Sequence, residues 1–244
     1  MLVLAIDSST AKASVALCDE EKVLSSFNIE DGKTHSEKLV PMIEHVVSEA
    51  GIKLSDIDCF AASAGPGSFT GLRIGIVTVK SIAMVMDKPC APVPTLDALA
   101  YNCAEYTGIV CPMIDARNNQ VFTAIYNENT KLTEYLAEHI EEVSQRLVGA
   151  CTENSLKNVI LVGDAAKKHE EFFKDKLFEH GISVEAASAE KIGADAVSVA
   201  HIAFKMVKEG KTVPSDEFVP EYLRLSSAEQ ALLKKRAEQE FANV

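Results

Sequence analysis

Short apolar runs, each closed by a small polar cluster, set the pattern of the first hundred residues and return in the second hundred. Residues Met1 to Ile6 are apolar, Asp7-Ser8-Ser9-Thr10 interrupt them, and Ser14 to Cys18 form a second run of small and apolar residues. This is the pattern of a β-hairpin with an aspartate at its turn. Cys111 to Ile114 repeat the motif: Asp115-Ala116-Arg117-Asn118-Asn119 close the run, and Val121 to Tyr126 follow. A further apolar strand, Val159 to Val162, ends in Gly163-Asp164-Ala165.

Between the strands the period changes from two to that of a helix. Thr34 to Ala50 opens with Thr34-His35-Ser36-Glu37, a capping-box pattern, and ends at Gly51. Its apolar positions Leu39, Val40, Ile43, Val46, Val47 and Ala50 form one broad face, and Pro41 predicts a kink or a later start. The next helix, Thr70 to Met86, carries Leu72, Ile74, Ile76, Val77, Val79, Ile82, Val85 and Met86 around most of its circumference, with Arg73 and Lys80 as its charges. A helix apolar all round needs cover on all sides. A third helix, Ala194 to Lys208, is followed by a proline-marked extended segment from Val213 to Pro220, and Ser226 to Val244 form a charged, helix-prone tail. The expected organisation is a first lobe at 1–104, a second at 105–193, and a C-terminal helix and tail at 194–244 that return toward the first lobe.

Residues 60–75 are the most restrictive stretch. A short apolar run (Phe60 to Ala64) ends in Gly65-Pro66-Gly67, and the second helix begins near Ser68 or Thr70. A glycine turn at a helix start can cradle an anion, or it can exist only for geometry. Gly65, Gly67 and Gly71 are spaced G-x-G-x-x-x-G, one residue longer than the dinucleotide fingerprint, and no Gly-Lys-Ser/Thr ending is present.

The twice-repeated hairpin predicts a duplicated α/β fold of two lobes, that of actin, Hsp70 and the sugar kinases (ASKHA, RNase H-like). In that class paired aspartate turns face each other across a cleft and hold metal-bound nucleotide phosphates. Asp7, Ser8, Asp115, Gly163 and Asp164 are the corresponding positions, read as a vestigial nucleotide cleft. A small sugar or acid kinase is the alternative function this architecture suggests, although no phosphate-binding lysine or catalytic base accompanies the aspartates. Fold by itself does not license activity.

GPGSFTGLRIG at Gly65 to Gly75 and LAIDSSTAKASVAL at Leu4 to Leu17 resemble the signature of TsaB (YeaZ-type) proteins. The likeness continues through Thr34-His35-Ser36-Glu37, Val93-Pro94-Thr95-Leu96-Asp97-Ala98-Leu99 and Pro220-Glu221-Tyr222-Leu223-Arg224, and so covers most of the chain. The resemblance implies a non-catalytic, cytoplasmic subunit of the machinery that installs threonylcarbamoyl on adenosine in tRNA. Its implied partners are a TsaD-type transferase paralogue and a TsaE-type ATPase, with a homodimer when it is alone and tRNA reached mainly through the transferase. It implies no cofactor of its own, and ATP or ADP only in the assembled complex. Partner contacts are expected on the two apolar helices, at His35, Leu39, Ile43, Val46, Val47, Leu72, Arg73, Ile76, Val79 and Lys80. The paralogue binds its metal with two histidines spaced i and i+4 on a helix. Here Thr95 and Leu99 stand at those places, so no metal site is expected.

Charge and composition narrow the remaining classes. The chain has 24 lysines and arginines against 36 acidic residues, a net charge of −12, with no long basic run. A phosphate backbone is bound by clustered cations, so a principal nucleic-acid reader is not expected. Cys18, Cys59, Cys90, Cys103, Cys111 and Cys151 are widely spaced with no C-x-x-C pair, and read as reduced core residues. The N-terminus lacks a basic n-region, and no membrane-spanning run is expected. The six histidines are scattered: His35 reads as a rim or interface residue, and His139, His169 and His180 as members of surface helices. No serine has a nucleophile-elbow context, which leaves peptide hydrolysis unsupported.

Overall fold

The computed structural model describes residues 1–30 and 35–223. In the first lobe the strands are β1 (Val3–Asp7), β2 (Ala13–Cys18) and β3 (Val23–Ile29), followed by helix α1 (His35–Ala50), strand β4 (Cys59–Gly65), helix α2 (Phe69–Met86), strand β5 (Cys90–Pro94) and helix α3 (Thr95–Tyr101). The second contains β6 (Ile109–Arg117), β7 (Gln120–Thr123), the short pair β8 (Tyr126–Asn127) and β9 (Thr130–Lys131), β10 (Leu136–His139), α4 (Ile140–Glu153), β11 (Asn158–Val162), α5 (Ala166–Phe178) and β12 (Ser183–Ala186). Helix α6 (Ala196–Lys208) follows.

The two sheets repeat one topology. The first has the order β3-β2-β1-β4-β5, and the main path of the second is β10-β7-β6-β11-β12. On each path three strands form an antiparallel meander (β1-β2-β3 and β6-β7-β10), and two more add in parallel, β4 and β11 beside the founding strand and β5 and β12 beyond them. The duplication legible in the two hairpins is therefore a duplication of whole lobes, and the fold is the two-lobed actin-like class expected from the sequence.

Strand periodicity explains how each sheet is covered. In β1 and β4 every residue is buried, because both faces are occupied. Leu4, Ile6, Phe60 and Ala62 point to one side, into a core completed by Leu39, Met42, Ile43 and Val46 of α1 and Ile76, Val79 and Ala83 of α2. Val3, Ala5, Ala16, Cys59, Ala61 and Ala91 point to the other, against Ala196, Val199, Ala200 and Ala203 of α6. Small residues on both partners let α6 lie close to the sheet.

A reciprocal exchange joins the lobes. Helix α6 follows the second sheet in sequence yet covers the first. Helix α3 follows the first sheet yet packs Leu96, Leu99 and Ala100 on Val110, Ile114, Ile160 and Val162 of the second. The other face of the second sheet is closed by Val143 and Leu147 of α4 and Phe173 and Leu177 of α5.

After α6 the chain returns to the first lobe. Val213 and Cys90 exchange backbone hydrogen bonds of 2.8 Å, Phe218 is buried in the first core, and the Glu221 amide donates to the Ala64 carbonyl at 2.8 Å. The expected capping residue Thr34, the motif residue Arg224 and the tail from Ser226 lie outside the described residues.

Candidate functional site

The glycine motif packs the start of α2 against the turn after β1. The Ser68 amide donates to the Ser9 carbonyl at 2.7 Å, and Ser68 Oγ accepts from the Gly71 amide at 3.3 Å. Gly71 and Gly75 face Ser8 so closely that an added Cβ would meet the Ser8 carbonyl oxygen at 2.0 Å and Ser8 Oγ at 2.2 Å. Of the two roles open to this loop, close packing is the one the contacts support: these amides are used by the chain itself.

Asp7, at the end of β1, is fully buried. Its carboxylate accepts from the Ser9 amide at 3.1 Å, from the Ser9 hydroxyl, and from the Ser63 hydroxyl. Burial pushes its pKa up, against the pull of these bonds. Ser8 Oγ donates to the Gly71 carbonyl at 2.9 Å. The turn is thus closed on itself. Ser63, missed in the sequence, had one available signal: it is a lone hydroxyl inside an otherwise apolar buried strand.

The matching turn of the second lobe is open. Asp115 accepts from the Arg117 amide at 2.9 Å through Oδ1 and from Lys168 at 3.0 Å through Oδ2. Partial burial pushes its carboxyl up, but the Arg117 amide and Lys168 hold it below the usual value on balance. The Asp115 amide donates to Asp164 Oδ1 at 3.0 Å, and burial raises the Asp164 pKa. Gly163 has φ +112°, and a Cβ there would stand 2.1 Å from the Met113 carbonyl oxygen, so only glycine fits. Gly163 and Asp164 line an inter-lobe cleft of about 340 Å³ with Thr10, Lys12 and Lys167. Lys12 bridges it to Asp195 at 3.3 Å. The cleft therefore brings Asp164 and Gly163 together, while Asp7 and Ser8 are sealed beneath the first turn.

The two apolar helices divide their residues differently from the sequence expectation. Leu39, Ile43, Val46, Leu72, Ile76 and Val79 are buried within the first lobe, so they are not free to meet a partner. Val47 is half-buried and packs on the same core. On α2, apolar all round, the pattern gives no indication of which face meets its own sheet, while on α1 the single broad apolar face is the one its own lobe covers; on both helices the apolar residues expected at the interface lie on the inner face. The outer faces carry Val40, 50% exposed, and Val77, Met84 and Val85, at 57%, 66% and 74%. Lys80 donates to the Asp216 and Phe218 carbonyls, both at 3.3 Å. Arg73 donates through Nε to the Tyr222 hydroxyl at 2.8 Å and lies over the Phe69 ring, which stacks on Tyr222 at 4.1 Å. His35 Nε2 lies 2.8 Å from the Thr10 carbonyl, with Nδ1 buried and unpartnered among the described residues.

One expectation about α2 needs correction. Among the described residues it is the one helix long and apolar enough to cross a membrane by length and composition. Its glycine contacts and buried residues fasten it to the first sheet instead.

Comparison with known proteins fits this geometry. Residues 23–232 match the family model described as TsaD: tRNA N6-adenosine threonylcarbamoyltransferase. The tRNA threonylcarbamoyladenosine biosynthesis protein TsaB of Escherichia coli is 30% identical over 226 residues, covering 92% of this chain and 95% of its own. The chain belongs to the TsaB family. A solved structure, YeaZ from Pseudomonas aeruginosa, aligns with a TM-score of 0.73 and 25% identity, over 91% of this chain and 99% of that one. The ROK hexokinase of Thermus thermophilus aligns with a TM-score of 0.50 at 14% identity, over 85% of this chain and 100% of that one, a likeness of fold alone.

In this TsaB-family chain the stretch aligned by resemblance with the transferase metal ligands is built into the core. Thr95 is fully buried with its hydroxyl unpartnered among the described residues, and Leu99 packs in the second core. No group of three or more His, Cys, Asp or Glu side chains poised for a metal occurs among the described residues. His169, expected on a surface, is 5% exposed on α5, and burial lowers its pKa. All six cysteines are buried and free, and burial pushes the thiols of Cys18, Cys59 and Cys111 up to about 12, which makes them poor nucleophiles.

Proposed function

We propose that this chain serves the formation of threonylcarbamoyladenosine on tRNA as a non-catalytic, cytoplasmic subunit that binds and activates a TsaD-type transferase. Membership of the TsaB family supports the pathway. The observation that carries the binding role is the outer face of α1 and α2, where Val40, Val77, Met84 and Val85 are left uncovered. Val77 and Met84 lie about two turns apart on one side of α2 with Val85 next to Met84, and an exposed apolar patch of this kind supports a protein-interaction surface. In this reading the transferase covers that face, a TsaE-type ATPase docks on the pair with its ATP or ADP, and tRNA is held mainly by the transferase. A second copy of this chain covers the face when the transferase is absent. The acidic charge fits such a division, since the partner supplies the cations that tRNA requires.

The kinase alternative needs both aspartate turns open to a metal-bound nucleotide. Asp7 is fully buried and its carboxylate is occupied by Ser9 and Ser63, which disfavours that reading.

The test is a binding measurement between this chain and its TsaD-type paralogue by analytical ultracentrifugation. A heteromer that forms with the wild type and is lost with Met84→Glu supports the proposal. A heteromer indifferent to substitutions on the outer face of both helices places the contact elsewhere and overturns the binding role.

A further inference from the structure

A second concavity lies apart from both the inter-lobe cleft and the outer face of α1 and α2. It is a groove of about 950 Å³ between α3, α6 and the β8–β9 pair, and it shares no lining residue with the cleft. Its size is in the range of small-molecule sites.

Three features of the groove specify a ligand chemistry. At one wall the hydroxyls of Tyr126 and Tyr135 both donate to Asp97 Oδ1, at 2.5 and 2.8 Å. Oδ2 accepts no hydrogen bond among the described residues, so a carboxyl oxygen whose partner oxygen is fixed by two phenols remains for an N–H donor. Planar surface comes next: Tyr101 stacks on His201 with ring centroids 5.1 Å apart, and both line the groove. Burial lowers the His201 pKa, which keeps that ring neutral and suited to stacking. The third feature is positive charge. Lys208 and Lys211 are paired with Glu20 and Glu209, but Lys131 and Lys205 line the groove with no ion pair among the described residues. Lys131 rests 3.6 Å from the Tyr135 ring centroid, beside the carboxylate network. Lys205 stands one helical turn beyond His201, about 6 Å along α6.

An acceptor for an amino group, an aromatic platform and two ammonium groups outside the ion pairs in one groove match the parts of a single molecule. We propose that this groove binds a nucleotide whose base carries an exocyclic amino group, with that amine on Asp97 Oδ2, the base against Tyr101 and His201, and the phosphate on Lys205 and Lys131. This site goes beyond the scaffold role and does not rest on it.

Calorimetric titration of the full chain with adenosine 5′-monophosphate, inosine 5′-monophosphate, adenosine and inorganic phosphate tests the assignment. The adenine nucleotide is expected to bind. The inosine nucleotide, which presents an oxygen where adenine presents an amine, is expected to bind at least about tenfold more weakly, the size of one hydrogen bond. Lys205→Glu and Tyr101→Ala, each checked for unchanged thermal unfolding, should weaken the adenine nucleotide by a similar factor. Lys167→Glu in the inter-lobe cleft should leave it unchanged. No binding of the adenine nucleotide at millimolar concentration, equal binding of the two nucleotides, or loss on Lys167→Glu with retention on Lys205→Glu would each overturn the proposal.

Discussion

A Cβ placed on Gly71 would stand 2.0 Å from the carbonyl oxygen of Ser8. That approach joins the two most recognisable motifs of the sequence, the aspartate hairpin and the glycine turn, into one packed unit. Gly71→Ala should therefore force α2 away from β1, costing about 1–3 kcal/mol or more as an overpacked contact against backbone. Gly149 in α4 has nothing within 4 Å of its Cβ position, and Gly149→Ala should raise stability by about 0.5–1 kcal/mol. Urea unfolding of the two variants, read against the wild type, checks both signs.

Burial raises the Asp7 pKa, and this has a definite consequence for stability. An acid whose folded pKa lies above its unfolded value binds more protons when folded over that interval. The Asp7 contribution is therefore greatest at low pH, falls as pH rises from the unfolded value to the folded one, and is constant above it. The slope approaches about 1.4 kcal/mol per pH unit for one proton. Asp7→Asn removes this dependence. Subtracting its stability from that of the wild type across pH 3 to 8 should leave a descending step, and a flat or ascending difference would refute the assignment.

The inner and outer faces of α2 should respond oppositely to charge. Ile76→Glu places a carboxylate in the first core, where Ile76 is 2% exposed, and should unfold the protein or cost several kcal/mol. Val77→Glu, one residue along, should change stability by no more than about 0.5 kcal/mol while shifting any self-association toward monomer. Thermal unfolding and sedimentation velocity on both variants separate the two effects.

The adjacent residues Ile76 and Val77 also show where sequence reading stops. Strand alternation and the twice-repeated aspartate hairpin reveal the lobes, because buried strands and tight turns restrict residue choice locally. Helix α2 is apolar on nearly every face, so its pattern does not say which side meets the sheet, and the expected contact residues fell on the inner one. The reciprocal packing of α3 and α6 depends on pairings between different elements, such as Val3 with Ala200 and Leu96 with Ile160, that no local pattern records. Lys168 and the Tyr126–Asp97–Tyr135 network have the same origin: each side chain is unremarkable until the fold supplies its partner.

Phe218 anchors the returning C-terminal segment in the first core at 1% exposure, while Tyr222 holds its end by stacking on Phe69. Phe218→Ala should cost about 3–5 kcal/mol. Tyr222→Ala should cost far less and, through lost stacking and the lost bond to Arg73, increase amide exchange around residues 216–223 more than in the sheet. Hydrogen exchange followed by mass spectrometry reads this directly.

The central claim is that the chain supports tRNA modification through an outer helical face without performing the chemistry. Its most direct test is threonylcarbamoyl incorporation into tRNA from the activated adenylate, using the TsaD-type transferase, the TsaE-type ATPase and ATP. The account predicts incorporation that requires this chain, none from the chain alone, and loss with a stably folded Val77→Glu/Met84→Glu variant. Incorporation that proceeds equally without the chain would contradict it.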